Sequence, residues 1–159
     1  MTAENKDFLT QLPVMLRLLA NPTTPHTALE LCCRIRSFGW EECEPTLMAE
    51  LETGSASVKQ LVLGVIREES DQFGDESVRS FVLQVVSLLK DEDRLVRMSA
   101  IHAVESLRVS DDNVVAALRH IVANDEPILA SQALTTLLEL DLDHTVIQEI
   151  AVRFRERSE

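Results

Sequence analysis

Apolar residues return every three or four positions along nearly the whole chain, separated by short breaks of acids, Ser, Thr, Gly or Pro. This spacing keeps apolar side chains on one face of a 3.6-residue helix, so the pattern predicts helix after helix. Phe8, Leu9, Leu12, Leu16 and Leu19 form the first stripe, with Pro13 either bending it or marking its first turn. Thr24 caps the second helix with Pro25 at its first position, and Ala28, Leu29, Cys32 and Ile35 make its apolar face. Cys43, Leu47, Met48 and Leu51 give a short third helix ended by Thr53 and Gly54. Ser55 or Ser57 opens the fourth, with Val58, Leu61, Val62, Val65 and Ile66 inside.

The second half repeats the theme. Asp75 caps a fifth helix with Val78, Phe81, Val82, Val85, Leu88 and Leu89 on its face, and a sixth carries Leu95, Val96, Ala100, Ile101, Ala103, Val104 and Leu107. Ser110 caps the seventh (Val114, Val115, Leu118, Ile121, Val122), and Asp125 with Pro127 starts the eighth (Leu129, Ala133, Leu134, Leu137, Leu140). Asp143 starts a ninth, with Val146, Ile147, Ile150 and Phe154. No strand-like alternation competes, and the expected class is all-α.

The even-numbered helices fall into register when Thr24, Val58, Val96 and Leu129 are aligned. Ala28, Val62, Ala100 and Ala133 then coincide, as do Cys32, Ile66, Val104 and Leu137. The aligned starts are 34, 38 and 33 residues apart. A period in the thirties built from helix pairs marks an α-solenoid, in which each pair buries its faces only against its neighbours. The small residue lets the next pair approach closely, and the larger ones fill the gap.

Asp91-Glu92-Asp93-Arg94-Leu95-Val96-Arg97-Met98-Ser99-Ala100-Ile101 resembles the second helix of a HEAT repeat: an Asp-rich turn, then Val-Arg, then a small Ala. The resemblance implies an α-solenoid of antiparallel helix pairs, with about four repeats plus a terminal helix. It also implies that the second helices, near 24–37, 56–69, 93–107 and 126–140, line a concave face. Residues 1–159 are then one HEAT-like domain, and the capped start and polar end suggest a complete unit. In the other repeats the Val-Arg pair becomes Val58-Lys59, Leu129-Ala130 and Thr24-Pro25. Tetratricopeptide repeats share the period, but their Trp, Gly and Tyr positions are missing. Thr24-Pro25-His26-Thr27-Ala28 is faintly similar to an ankyrin motif and never recurs.

Charge narrows the partners. The net charge is −12, which repels nucleic acid phosphates and favours a basic partner. Part of this acidity is structural, because the acid clusters stand where helices begin and offset the free N–H groups there. No apolar run is long enough to span a membrane, and no signal-peptide core follows the polar start. Three cysteines, an odd number, point to a reducing cytoplasm.

Candidate chemistry is sparse. Cys32 and Cys33 are adjacent and point about 100° apart on a helix, so with Cys43 and His26 they make a poor zinc set. His26, His102, His120 and His144 show no metal or catalytic spacing, and the phosphate-cradling glycine motifs are missing. Asp141, Asp143 and Glu149 lack the remaining ligands and the glycine of a calcium loop. No cofactor and no catalytic residue is expected.

What remains is a surface. Its polar strip on the second helices holds Glu30 and Arg34, Lys59 and Gln60, Arg97, Ser99 and His102, then Ser131, Gln132 and Thr135. Glu50, Glu52, Glu68, Glu69 and Asp71 would form its acidic rim. Arg97 either pairs with Asp93 or reaches a ligand, and Phe73 is either a packing plug or an exposed anchor. The expected function is a non-enzymatic adaptor or scaffold binding a basic protein or peptide on the concave face. Lys59, Glu68, Glu69, Arg97, His102 and Gln132 are the candidate contacts. The alternatives are a bacterial inhibitor or immunity-type protein neutralising a basic toxin enzyme, and an assembly factor similar to the HEAT-repeat bilin lyases. Sequence sets no oligomeric state.

Overall fold

The computed structural model describes residues 3–20, 27–72 and 75–140, together with Gln148 and Val152, both helical. Among these residues there are eight α-helices and no strand: α1 (Ala3–Leu19), α2 (Thr27–Phe38), α3 (Trp40–Thr53), α4 (Ala56–Glu69), α5 (Asp75–Leu88), α6 (Arg94–Leu107), α7 (Asp112–Asn124) and α8 (Pro127–Glu139). A 3-10 turn, Ser70–Gln72, follows α4. The cap expected at Thr24-Pro25, Phe73 and the core positions of the ninth helix lie outside the described residues, as do His26, Asp141, Asp143 and His144.

Helix boundaries follow local chemistry. Asp93 accepts hydrogen bonds from the amides of Leu95 and Val96 at 2.8 and 3.1 Å and so caps α6. Ser55 accepts from the Val58 amide at 3.5 Å to open α4, which decides between the two serines considered. The cap of α7 is Asp111 rather than Ser110; its carboxylate accepts from the Asn113 amide at 2.8 Å. Trp40 starts α3, three residues before the Cys43 stripe, and Pro45 lies inside the helix. Pro13 is likewise interior to α1 and leaves the Leu9 carbonyl without its usual donor. Gly39 alone joins α2 to α3; its φ of 104° is a conformation that a Cβ would strain.

The chain divides into two compact units, Met1–Gln84 and Val85–Glu159. In the first, α1 packs on α3 and α4, and α2 packs on α4 and α3. Leu12, Leu16, Leu31, Ile35, Leu47, Leu51, Leu63 and Ile66 are fully buried there, along with Phe81 from α5. Phe8 stacks on Phe38 with centroids 4.0 Å apart, tying α1 to α2, and the Arg34 guanidinium lies 5.6 Å from the Phe8 ring centre. The Trp40 ring meets Phe81 at 5.5 Å with a tilt of 59°.

Ion pairs fix which ends align. Arg17, in the last turn of α1, reaches Glu50 near the end of α3 at 3.0 Å. Arg36, in the last turn of α2, grips both oxygens of Glu69 at the end of α4, at 2.8 and 2.6 Å. Like ends therefore meet, so odd helices lie beside odd and even beside even, each 33 residues on. The Gly54-Ser55 connection folds α4 back against α3.

The second unit repeats the arrangement. α8 packs on both α7 and α6, and Leu89, Ile101 and Leu118 are fully buried in this unit. Ala100 and Ala133 are fully buried, and the missing bulk at these aligned positions lets the neighbouring helices close up. Two stripe positions face outward instead: Leu29 and Leu95 are 68% and 56% exposed. Each lies at the edge of its helix's apolar stripe, beside buried Cys32 and Val96 respectively, and that edge is open. Arg108 closes α6 with φ 50° and ψ 38°, the left-handed conformation where glycine is usual, at a cost of about 1 kcal/mol.

Candidate functional site

Arg97 leaves the first turn of α6 and is only 19% exposed. Its Nε and one terminal nitrogen donate to the two carboxylate oxygens of Asp125 at 2.9 and 3.0 Å. The other terminal nitrogen donates to the carbonyls of Asp91 and Glu92 at 2.9 and 3.0 Å. Neither sequence alternative describes this: Asp93 is occupied as the α6 cap, and the guanidinium is spent inside the protein. Asp125 in turn accepts from the Glu126 amide at 2.9 Å, so it belongs to the turn before α8, whose N-cap position is Glu126. Arg94 pairs with Glu126 alongside. Together these bonds clamp the starts of α6 and α8.

Glu69 also differs from expectation. It is 2% exposed, because both of its oxygens turn inward to Arg36 rather than to a rim. Glu50 is similarly buried at 5% and held by Arg17. Glu68 is exposed and pairs with its neighbour Arg67 at 2.7 Å. Lys59 is half-buried on α4 and is held by an interaction of its own. These residues belong to the first unit.

In the second unit the even helices bring two of the candidates together. His102 Nδ1 lies 3.4 Å from Glu105 Oε2, one turn along α6, and Gln132 of α8 donates to the same oxygen at 3.4 Å. Glu105 is therefore the hub of a half-exposed polar cluster spanning α6 and α8. On a 100° helical projection, Leu95 and Met98 share the outward side of α6 with His102, while Ile128, Ser131, Thr135 and Leu138 share that of α8. Leu95, Ile128 and Leu138 are 56%, 60% and 48% exposed, so this face mixes apolar and polar contacts. Sequence reading missed Glu105 as the hub. Its signal was the three-residue spacing from His102.

The thiols divide by burial. Cys32 and Cys43 are buried and Cys33 is exposed. Burial pushes the Cys32 thiol up to about 12, helped by the neighbouring Glu69 carboxylate, and pushes Cys43 up to about 11, helped by Glu42. Among the described residues no three His, Cys, Asp or Glu side chains are grouped to hold a metal. One thiol reacting quickly with a disulfide reagent in the native protein, and three after unfolding, is the expected titration. Because both buried thiols ionise later when folded than when unfolded, their contribution to stability is complete below the unfolded pKa of 9.0 and is lost as pH rises toward 11 and 12. Denaturation curves above pH 9 should show roughly 1 kcal/mol lost per pH unit for each thiol, and a flat profile would contradict their burial.

Comparison with known proteins decides the family. The family model described as HEAT repeats matches residues 44–139, more than half of the chain. The protein belongs to the HEAT-repeat family. Its architecture is the all-α solenoid class that the opening resemblance implied, and the matched span runs from α3 through α8. HEAT repeats generally act as scaffolds for protein interaction and are typically non-enzymatic. No match is found among curated proteins or solved structures. No helix among the described residues is long and apolar enough to cross a membrane.

Proposed function

We propose that this HEAT-repeat protein is a non-enzymatic adaptor that binds a protein partner with a basic surface through the outward face of its second helices. The supporting observation is the α6–α8 face, where exposed Leu95, Ile128 and Leu138 flank the His102–Glu105–Gln132 cluster. Apolar anchors beside adaptable polar groups and the Glu105 carboxylate make an interface suited to a partner that brings a cation. The net charge of −12 supplies long-range attraction for a basic partner and sets the salt sensitivity of its on-rate. In this reading Arg97 and Glu69 hold the frame, while His102, Gln132, Lys59 and Glu68 remain candidate contacts.

The test is affinity capture from the native cell at low and high salt, with wild type beside a Leu95→Asp, Ile128→Asp variant. A basic protein retained by wild type, weakened by salt and lost by the variant, is the expected result. Equal retention by the variant would remove this face from the proposal. Failure to retain any basic protein at either salt would remove the adaptor reading itself.

A further inference from the structure

The C-terminal ends of α6 and α8 leave an open cavity of about 530 Å³, lined by Glu105, Arg108, Glu139 and Leu140. Its size is that of a recognition pocket, and among the described residues its wall carries the Arg108 cation, the Glu105 and Glu139 carboxylates and apolar Leu140. Arg17, Arg36, Arg67, Arg94 and Arg97 each find a carboxylate within the protein. Arg108 is exposed and makes no ion pair or side-chain hydrogen bond with the described residues, although Glu105 and Glu139 share its cavity. It also occupies the left-handed position that ends α6, where glycine would be more stable. A planar donor fork is thus held at the mouth of a cleft at the expense of the fold.

An unspent guanidinium calls for a carboxylate, since its fork matches that group through two hydrogen bonds. Glu105 and Glu139 would repel a ligand that carried only negative charge, and Arg108 would repel one that carried only positive charge. The complementary ligand holds both signs a few ångströms apart. The protein-binding function proposed above favours side chains delivered by a larger partner.

We propose that this cleft receives a partner segment carrying a Lys or Arg beside an Asp or Glu: the acid accepts from Arg108, the cation sits between Glu105 and Glu139, and its aliphatic stem lies on Leu140. The proposal rests on the protein-binding function above and adds a sequence requirement to it. A merely basic surface satisfies that function but not this cleft.

Short blocked peptides test it, one containing adjacent Lys and Glu, one with Lys only and one with Glu only, beside free arginine as a zwitterion without a peptide. Binding is read from the fluorescence anisotropy of labelled peptide for every variant, and the Arg108 Nε–H signal in nitrogen-edited NMR locates it in the wild type. The mixed peptide should shift that signal and outcompete both single-sign peptides, and Arg108→Gly should weaken it about tenfold, the loss of one charge-assisted contact. Arg108→Gly should also raise the unfolding midpoint, so its loss of binding cannot be loss of fold. Glu139→Gln should weaken the mixed peptide while leaving the midpoint unchanged. Equal binding of the all-Lys peptide, unaffected by Arg108→Gly, overturns the cleft assignment and leaves the basic-partner reading intact. Free arginine binding as tightly as the mixed peptide, or no peptide moving the Arg108 signal, also overturns it.

Discussion

Replacing Arg36 by Ala is expected to destabilise the protein, because it removes the cation from buried Glu69, although Arg36 itself is 57% exposed. Glu69 is 2% exposed, and both of its oxygens are held by Arg36. The Cys32 thiol stands near the same carboxylate but brings no positive charge. Without Arg36 the carboxylate must stay desolvated and unpaired, draw in water, or force the ends of α2 and α4 apart. Urea unfolding followed by circular dichroism measures the cost. Replacing both partners together, Arg36→Leu with Glu69→Leu, should recover most of the loss, since a buried pair often contributes little more than apolar residues of similar volume. A loss below about 1 kcal/mol for Arg36→Ala would mean that water already reaches Glu69 and that the pair behaves like a surface one.

Arg97→Ala should cost about 3 kcal/mol by a different route. Here four hydrogen bonds disappear at once: two to Asp125 and two to the carbonyls of Asp91 and Glu92. Asp125→Ala should cost less, because Arg97 keeps its carbonyl acceptors. In a double-mutant cycle the two sites should show a coupling of about 1–3 kcal/mol. Arg97→Lys should not restore stability, since an ammonium cannot span a carboxylate and two carbonyls in one plane. Full rescue by Lys would show that charge alone, and not the fork, joins α6 to α8.

How far the structure could be read from residues alone depends on the range of the interaction. Helices were legible because apolar spacing, Ser55, Asp93 and Pro127 act within one or two turns of themselves. The stacking was legible because Ala100 and Ala133 repeat at a fixed distance. Long-range bonds were not. Arg97 stands four residues from Asp93, the natural local partner, yet Asp93 is consumed by the α6 amides and Arg97 reaches 28 residues ahead. Glu69 follows the exposed Glu68 and looks equally solvated in sequence, but the adjoining helix position points at α2. In the site, His102 and Gln132 were legible as outward polar residues. The hub Glu105 and the cleft residue Arg108 were not, because their significance lies in what α8 places opposite them.

Trp40 is the chain's single tryptophan, and there is no tyrosine. Its ring rests near Phe81 in the first compact unit. Intrinsic fluorescence is therefore a local reporter: it registers the opening of Met1–Gln84 and is silent to Val85–Glu159, whereas circular dichroism sums the helices of both. Coincident melting by the two signals would mean that the repeats unfold together, and a lag between them would give the free energy by which one half outlasts the other.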